Sequence, residues 1–234
     1  MRSKIMAEKK RQGNTNKNEK KILIVDDHPI VRRGLTELIN QEKDLVVSGQ
    51  AEDAYQAMEA IRAQKPDMAI IDISLKGTSG LELIKDIKTQ YPSLPVLTLS
   101  MHDEFLYAER ALRAGAKGYI MKQQATEDLI MAIRKVLGGH VYVSDTVGTK
   151  MLTSLLGAGP EAGASAVDRL SDRELEVFGL IGLGHGTRQI AERLHLSVKT
   201  VETYRAHIKK KLNLANAAEL LRYAIQWVNS QSAG

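Results

Sequence analysis

Asp26, Asp27, Asp72, Ser100 and Lys122 each close an apolar run, in ILIVDD, MAIID, LPVLTLS and GYIMK. A charge at the end of so apolar a segment is costly to desolvate and calls for a partner. If the runs lie side by side, the three carboxylates converge and repel one another unless a cation joins them. Mg2+ suits such a pocket, because it takes few carboxylates and keeps waters and phosphate oxygens. A hydroxyl and an ammonium beside a metal–carboxylate cluster are what a bound phosphoryl group requires. A carboxylate can itself be the nucleophile and become an aspartyl-phosphate. The chemistry these residues predict is phosphoryl transfer: Asp26 and Asp27 hold Mg2+, Asp72 attacks phosphorus, and Ser100 and Lys122 bind the transferred group. Taken singly, an aspartate at a strand end is most often a turn or cap residue, and a lysine a surface charge. Five such groups at matching strand ends argue for a site.

Five repeats of strand and helix must position them. KILIVDD precedes PIVRRGLTELINQ, where Ile30, Leu35, Leu38 and Ile39 have helical spacing and Pro29 suits the first helical position. DLVVSGQ pairs with AYQAMEAIRAQ, and DMAIIDI with GLELIKDIKTQ, whose start carries the capping-box pattern Ser79-x-x-Glu82. LPVLTLS with DEFLYAERALRAGA, and KGYIMK with TEDLIMAIRKVLGG, complete the series. The predicted class is α/β, a doubly wound five-stranded parallel sheet covered on both faces, followed by an all-α helix-turn-helix domain. In the strand order 2-1-3-4-5, strands one and three are neighbours, and ligands bind beyond their carboxyl ends.

Composition and charge set the frame. The 234 residues suffice for two modest domains, and 43% hydrophobic residues support real cores. No cysteine is present, which rules out disulfides and cysteine-ligated zinc. No signal-peptide core and no long apolar span occur, so a cytoplasmic protein without a membrane partner is expected. Residues 1–21 carry eight Lys/Arg and two Glu, whereas residues 22–144 carry 14 basic and 17 acidic residues. The basic balance therefore comes mostly from residues 1–20, read as a disordered arm, and is weak evidence for nucleic acid on its own. Residues 21–140 form the predicted α/β domain. Residues 141–167 are the linker, a helix near TVGTKMLTSLL followed by SLLGAGPEAGASAVDR, and residues 168–230 are the helical domain.

The α/β half resembles the receiver domain of two-component response regulators, through ILIVDD, IIDISLKGTSGLEL, LTLS and AGAKGYIMK, over roughly residues 20–140. That resemblance implies Asp72 as phospho-acceptor and a Mg2+ set of Asp26, Asp27, Asp72 and the Ser74 backbone carbonyl. It also implies Ser100 and Tyr119 as a switch pair and Lys122 as the phosphate-binding lysine. Gln123 stands where many receivers have proline, and Ser100 where threonine is commoner.

In the helical half, TRQIAERLHLSVKTVETYRAHIKKKL contains a short helix, the turn HLS and a second helix, which is the helix-turn-helix plan. Val201, Tyr204, Ile208 and Leu212 share a packing face; Glu202, Thr203, Ala206, Lys209 and Lys210 share another. Lys199 and Thr200 stand at the helix N-terminus, where phosphate is favoured. A helical bundle with an ordinary solvated basic face is the plain alternative. The segment LSDRELEVFGLIGLGHGTRQIAERLHLSVKTVETYRAHIKKKLNL resembles the LuxR-type output domain, over about residues 168–229, with Ser171-x-x-Glu174 as a capping box. The resemblance makes 198–212 the recognition helix, with Glu202, Thr203 and Ala206 at base-reading positions.

The two resemblances together imply a regulator of the NarL/FixJ type rather than an enzyme. Its partners would be a sensor histidine kinase, double-stranded promoter DNA, a second copy of itself and RNA polymerase. An aspartate-nucleophile phosphatase of the haloacid-dehalogenase kind wants a second acid two residues beyond the nucleophile, where this chain has Ser74. A regulator whose receiver serves only for dimerisation, without phosphate, is the other alternative. The six histidines (28, 102, 140, 185, 195 and 207) show no metal spacing and are expected to be structural or solvent-facing, with His28 starting a helix beside Pro29.

Overall fold

The computed structural model of the chain describes residues 19–75, 77–101, 104–157 and 166–232. Most of the N-terminal arm and the glycine-rich part of the linker lie outside the described residues. Strands β1 (Lys20–Val25), β2 (Leu45–Ala51), β3 (Met68–Asp72), β4 (Val96–Ser100) and β5 (Gly118–Met121) form one sheet in the order β2-β1-β3-β4-β5. Every neighbouring pair is parallel. Helices α1 (Pro29–Asn40), α2 (Ala54–Gln64), α3 (Gly80–Gln90) and α4 (Glu104–Ala114) make the crossovers, and α5 (Ala125–Leu137) follows β5.

Alternation along the strands assigns the helices to two faces. Ile22, Ile24, Met68 and Ile70 pack with Leu35 and Ile39 of α1 and with Leu129, Ile133 and Val136 of α5. Leu23, Val25, Ala69 and Ile71 pack on the other face with Ile61 of α2, Ile84 and Ile87 of α3, and Ala108 and Ala111 of α4. Both sides of the central strands are buried, which explains why they read as continuous apolar runs.

Register carries the chemistry to one edge. Val25 pairs with Ile71, so Asp26 and Asp72 follow immediately on neighbouring strands. Asp72 pairs with Leu99 and Ser100 with Met121, which brings the ends of β4 and β5 to the same rim. At Gly80 a Cβ would lie 1.9 Å from the Asp72 carbonyl oxygen, so the start of α3 packs against the backbone of β3 at a distance only glycine allows. Gly80 N–H donates to Ile73 O at 2.7 Å and fixes that approach. The expected capping box with Glu82 at the start of α3 is a single-sided cap: the Ser79 hydroxyl accepts from Leu81 N–H, without the reciprocal bond from Glu82.

The second half is helical: α6 (Asp145–Gly157), a short 3-10 turn (Ala166–Arg169), then α7 (Asp172–Gly182), α8 (Thr187–Arg193), α9 (Val198–Leu212) and α10 (Ala217–Ser232). The Ser171/Glu174 box at α7 is complete, with both reciprocal bonds. Phe178 of α7 meets Tyr223 and Trp227 of α10 with ring centroids 5.8 and 5.2 Å away. The core on the α2–α3–α4 face continues through Leu75 and Val167 into Leu175, Phe178, Val201 and Leu220, so the helical domain is docked on the receiver-like half rather than separate from it. Among the described residues no helix is long and apolar enough to cross a membrane.

Candidate functional site

The five residues singled out by chemistry converge. Asp26, Asp27 and Asp72 are all buried, as are the side chains of Ser100 and, nearly so, Lys122. Lys122 Nζ lies 2.7 Å from Asp72 Oδ2 and 2.7 Å from Asp26 Oδ2. Its own N–H donates to Ser100 O at 2.7 Å, tying the ends of β4 and β5 together. Ser74 N–H donates to Asp72 Oδ1 at 3.2 Å. Burial pushes the Asp72 carboxyl up to about 6; the Lys122 ammonium pulls it back, and Asp26 adds repulsion. Burial works against the charge on Lys122, but Asp72 and Asp26 outweigh it and hold its pKa above the usual lysine value.

Three buried carboxylates face one lysine, which leaves surplus negative charge in a cleft of oxygen donors. Ligand atoms of Asp26, Asp27, His28 and Asp72 all lie within 4.8 Å of one another. That donor set fits a hard divalent cation such as Mg2+. His28, expected only as a helix-start residue, is the N-cap of α1 without a side-chain cap bond. Its Nδ1 instead approaches Asp27 Oδ1 at 2.6 Å and Asp26 Oδ1 at 3.3 Å.

Tyr119 is buried in β5, in the core it shares with Tyr107 of α4 and Phe178 of α7. Around it runs a polar seam between the two halves that the sequence reading did not anticipate. The Ser79 hydroxyl donates to Glu176 Oε1 at 3.2 Å, and Arg173 pairs with Glu176 while its Nη2 donates to Leu75 O at 3.0 Å. Arg110 of α4 reaches Leu170 O at 3.0 Å, Val167 O at 3.2 Å and Asp172 Oδ1 at 3.2 Å, and Lys85 reaches Asp172 Oδ2 at 2.7 Å. Burial pushes Glu176 up to about 7, although Arg173 and Ser79 oppose the shift; Asp72 adds to it. No local sequence pattern announces this seam: α7 is buried from Arg173 to Phe178, although Arg173, Glu174 and Glu176 read as surface charges. His195, expected to be structural or solvent-facing, is exposed and places Nε2 at 3.1 Å from Asp27 Oδ2.

On α9 the packing face is as expected for Val201, Ile208 and Leu212, which are buried, while Tyr204 is half-buried. Lys199, Glu202, Thr203, Ala206 and Lys210 are exposed; Thr200 and Lys209 are half-buried. Ser197 caps the helix by accepting from Thr200 N–H at 3.0 Å. The last turn carries Lys209, Lys210 and Lys211, of which Lys211 Nζ is held by Glu174 Oε2 at 2.6 Å.

Two family descriptions match the chain: "Response regulator receiver domain" over residues 22–134, and "Bacterial regulatory proteins, luxR family" over residues 168–224. The oxygen regulatory protein NreC of Staphylococcus aureus is 39% identical over 210 residues, covering 88% of this chain and 97% of that protein. The chain belongs to the NarL/FixJ-type response regulators. It is a two-component transcription regulator, with a receiver and a LuxR-type output domain. Among solved structures, RcsB of Salmonella typhimurium superposes with a TM-score of 0.62 at 28% identity, over 89% of this chain and 98% of that one. RcsB of Salmonella enterica serovar Typhimurium bound to promoter rprA with the phosphomimetic BeF3- gives 0.58 at 29% identity, over 88% and 98%. A LuxR-family response regulator from Aurantimonas sp. SI85-9A1 gives 0.55 at 31% identity, over 59% of this chain and 99% of that one.

Proposed function

We propose that this response regulator is switched by phosphorylation of Asp72 and then binds promoter DNA as a dimer through α9. The observation that carries the reading is Lys122, whose ammonium lies 2.7 Å from both Asp72 and Asp26 inside a buried acidic pocket. A lysine so placed holds Asp72 ionised against burial and sits ready for the oxygens of an incoming phosphoryl group. A carboxylate oxygen of Asp72 attacks the phosphorus of a phosphohistidine on a sensor kinase; the P–N bond breaks and an acyl phosphate forms. Asp26, Asp27, Asp72 and the Ser74 carbonyl would hold Mg2+, which would supply positive charge for the phosphoryl oxygens. Ser100 then hydrogen-bonds the new phosphate, and Tyr119 packs behind it as the switch partner.

The receiver spans residues 21–140 in this reading, the linker 141–167 and the output domain 168–230. Phosphorylation draws on the loop between β3 and α3, which includes Ser74, and the same loop holds Glu176 and Arg173 through Ser79 and Leu75. Its rearrangement either frees the output domain or favours dimerisation. Glu202, Thr203 and Ala206 then read bases in the major groove, and Lys199, Thr200, Lys209 and Lys210 contact phosphates. Promoter binding in the cytoplasm brings RNA polymerase within reach. RcsB supports the DNA and dimer parts, since it has been seen bound to promoter DNA and as two dimers on two DNAs.

The test is Asp72→Asn. A small-molecule phospho-donor with Mg2+ should label the wild type and leave the variant unlabelled. Persistence of the label on the variant would remove Asp72 as acceptor.

A further inference from the structure

His195 belongs to the output domain, yet it touches the receiver's acidic pocket. Both carboxylate oxygens of Asp27 are engaged: Oδ1 lies 2.6 Å from His28 Nδ1 and Oδ2 lies 3.1 Å from His195 Nε2. The two histidines differ in what they can do. His28 is mostly exposed and lies in the same loop as Asp27, so it can swing outward alone. His195 sits in the turn between α8 and α9 with φ of 52°, between buried Leu194 and half-buried Leu196. That turn is closed by Leu196 N–H to Ala191 O at 2.8 Å. His195 therefore reaches Asp27 only while the helix-turn-helix is docked, and the contact is lost when its exposed side chain turns away or the helix-turn-helix moves.

A hydrated divalent ion of the Mg2+ type sits about 2 Å from its carboxylate oxygen and carries waters beyond it. An imidazole nitrogen 3.1 Å from Asp27 Oδ2 engages an oxygen that the ion or its waters would use. We propose that His195 competes with the divalent cation for Asp27, so that closure of the output domain on the receiver and loading of the metal site oppose each other before any phosphorylation. This rests on the reading of Asp26, Asp27 and Asp72 as the metal set. Linkage makes the opposition reciprocal: cation binding weakens docking by the same factor that docking weakens cation binding. The pocket thus senses the cation as well as the phosphoryl group, and the part of the chain that reports it is the turn leading into α9.

The test uses the full-length, unphosphorylated protein and Mn2+, whose free concentration is counted by electron paramagnetic resonance. His195→Asn is the variant to compare, because asparagine tolerates the left-handed backbone of this turn and its amide ends one bond short of the imidazole Nε2. The variant should bind Mn2+ about fivefold more tightly or better. The chain has no cysteine, so a dye pair placed at Arg62→Cys and Arg222→Cys labels one receiver and one output position cleanly. Mn2+ should lengthen the dye separation in the wild type and leave it unchanged in the His195→Asn background. Equal affinities within twofold, or a separation in the wild type that ignores Mn2+, overturn the competition. Weaker binding in His195→Asn also overturns it and makes His195 a ligand instead. Should Asp27→Asn bind Mn2+ as well as the wild type, the metal reading itself is what fails.

Discussion

At the scale of single residues, the acidic pocket and the interdomain seam rest on the same physics and were unequally legible. Asp26, Asp27, Asp72, Ser100 and Lys122 could be read from sequence because each ends an apolar run, and strand order alone then gathers them. Glu176 and His195 could not, because their partners Ser79 and Asp27 come from a different domain at a distance no local pattern encodes. Glu176 also makes a prediction about pH. It is fully buried and faces Arg173, Ser79 and Tyr107, with Asp72 close enough to repel it, and burial raises its pKa from 4.5 to about 7. The docked, folded state therefore binds a proton more readily than the unfolded chain. The stability this contributes is fully present below about pH 4.5 and is lost as pH rises through about 7. Urea midpoints of the wild type should fall across that window by more than those of Glu176→Gln, which removes the titration. The glutamine can still meet both neighbours, its oxygen accepting from Arg173 and its amide donating to the Ser79 oxygen. Parallel curves for the two proteins would show that Glu176 is not proton-linked to folding.

At the scale of elements, period and capping were the reliable guides. AYQAMEAIRAQ and VKTVETYRAHIKKKL coincide with α2 (Ala54–Gln64) and α9 (Val198–Leu212), and the Ser171 box is complete. The Ser79 pattern promised the same and delivered half of it: its hydroxyl accepts from Leu81 N–H and at the same time donates to Glu176 across the seam. Beside Ser79, Gly80 sets how closely α3 approaches β3. Gly80→Ala would place a methyl 1.9 Å from the Asp72 carbonyl oxygen, which the backbone at the end of β3 must move to accept. Overpacking of this kind costs about 1–3 kcal/mol. The variant should lose that much stability in denaturant titration and be labelled more slowly by a phospho-donor, because Asp72 and the Ser74 carbonyl shift together. Wild-type stability and labelling rate in Gly80→Ala would mean that the approach is not tight in solution.

At the scale of the whole molecule, the glycine-rich segment lies between the two family matches, over residues 22–134 and 168–224, but carries no information on how the two halves rest against each other. That arrangement follows from the apolar core running from Leu75 into Phe178, sealed by Arg110 and Lys85 against the start of α7. Glu202, Thr203 and Ala206, the proposed base-reading residues, are exposed, so docking does not cover those side chains. What docking restrains is the position of the domain, with its His195 turn on the pocket and its α7 start on α4. Arg110 is the residue to remove, because it donates to two carbonyls and one carboxylate across the seam and lies outside the acidic pocket. Three contacts of this sort, each worth about 1 kcal/mol and up to twice that for the charged one, bound the effect. Arg110→Ala should therefore raise the affinity of the unphosphorylated chain for its promoter fragment by about tenfold at fixed salt. Combined with Asp72→Asn, it should keep that gain, because loosening the seam bypasses the acceptor. An Arg110→Ala protein that binds DNA as weakly as the wild type would place the restraint elsewhere, in dimer formation rather than in docking.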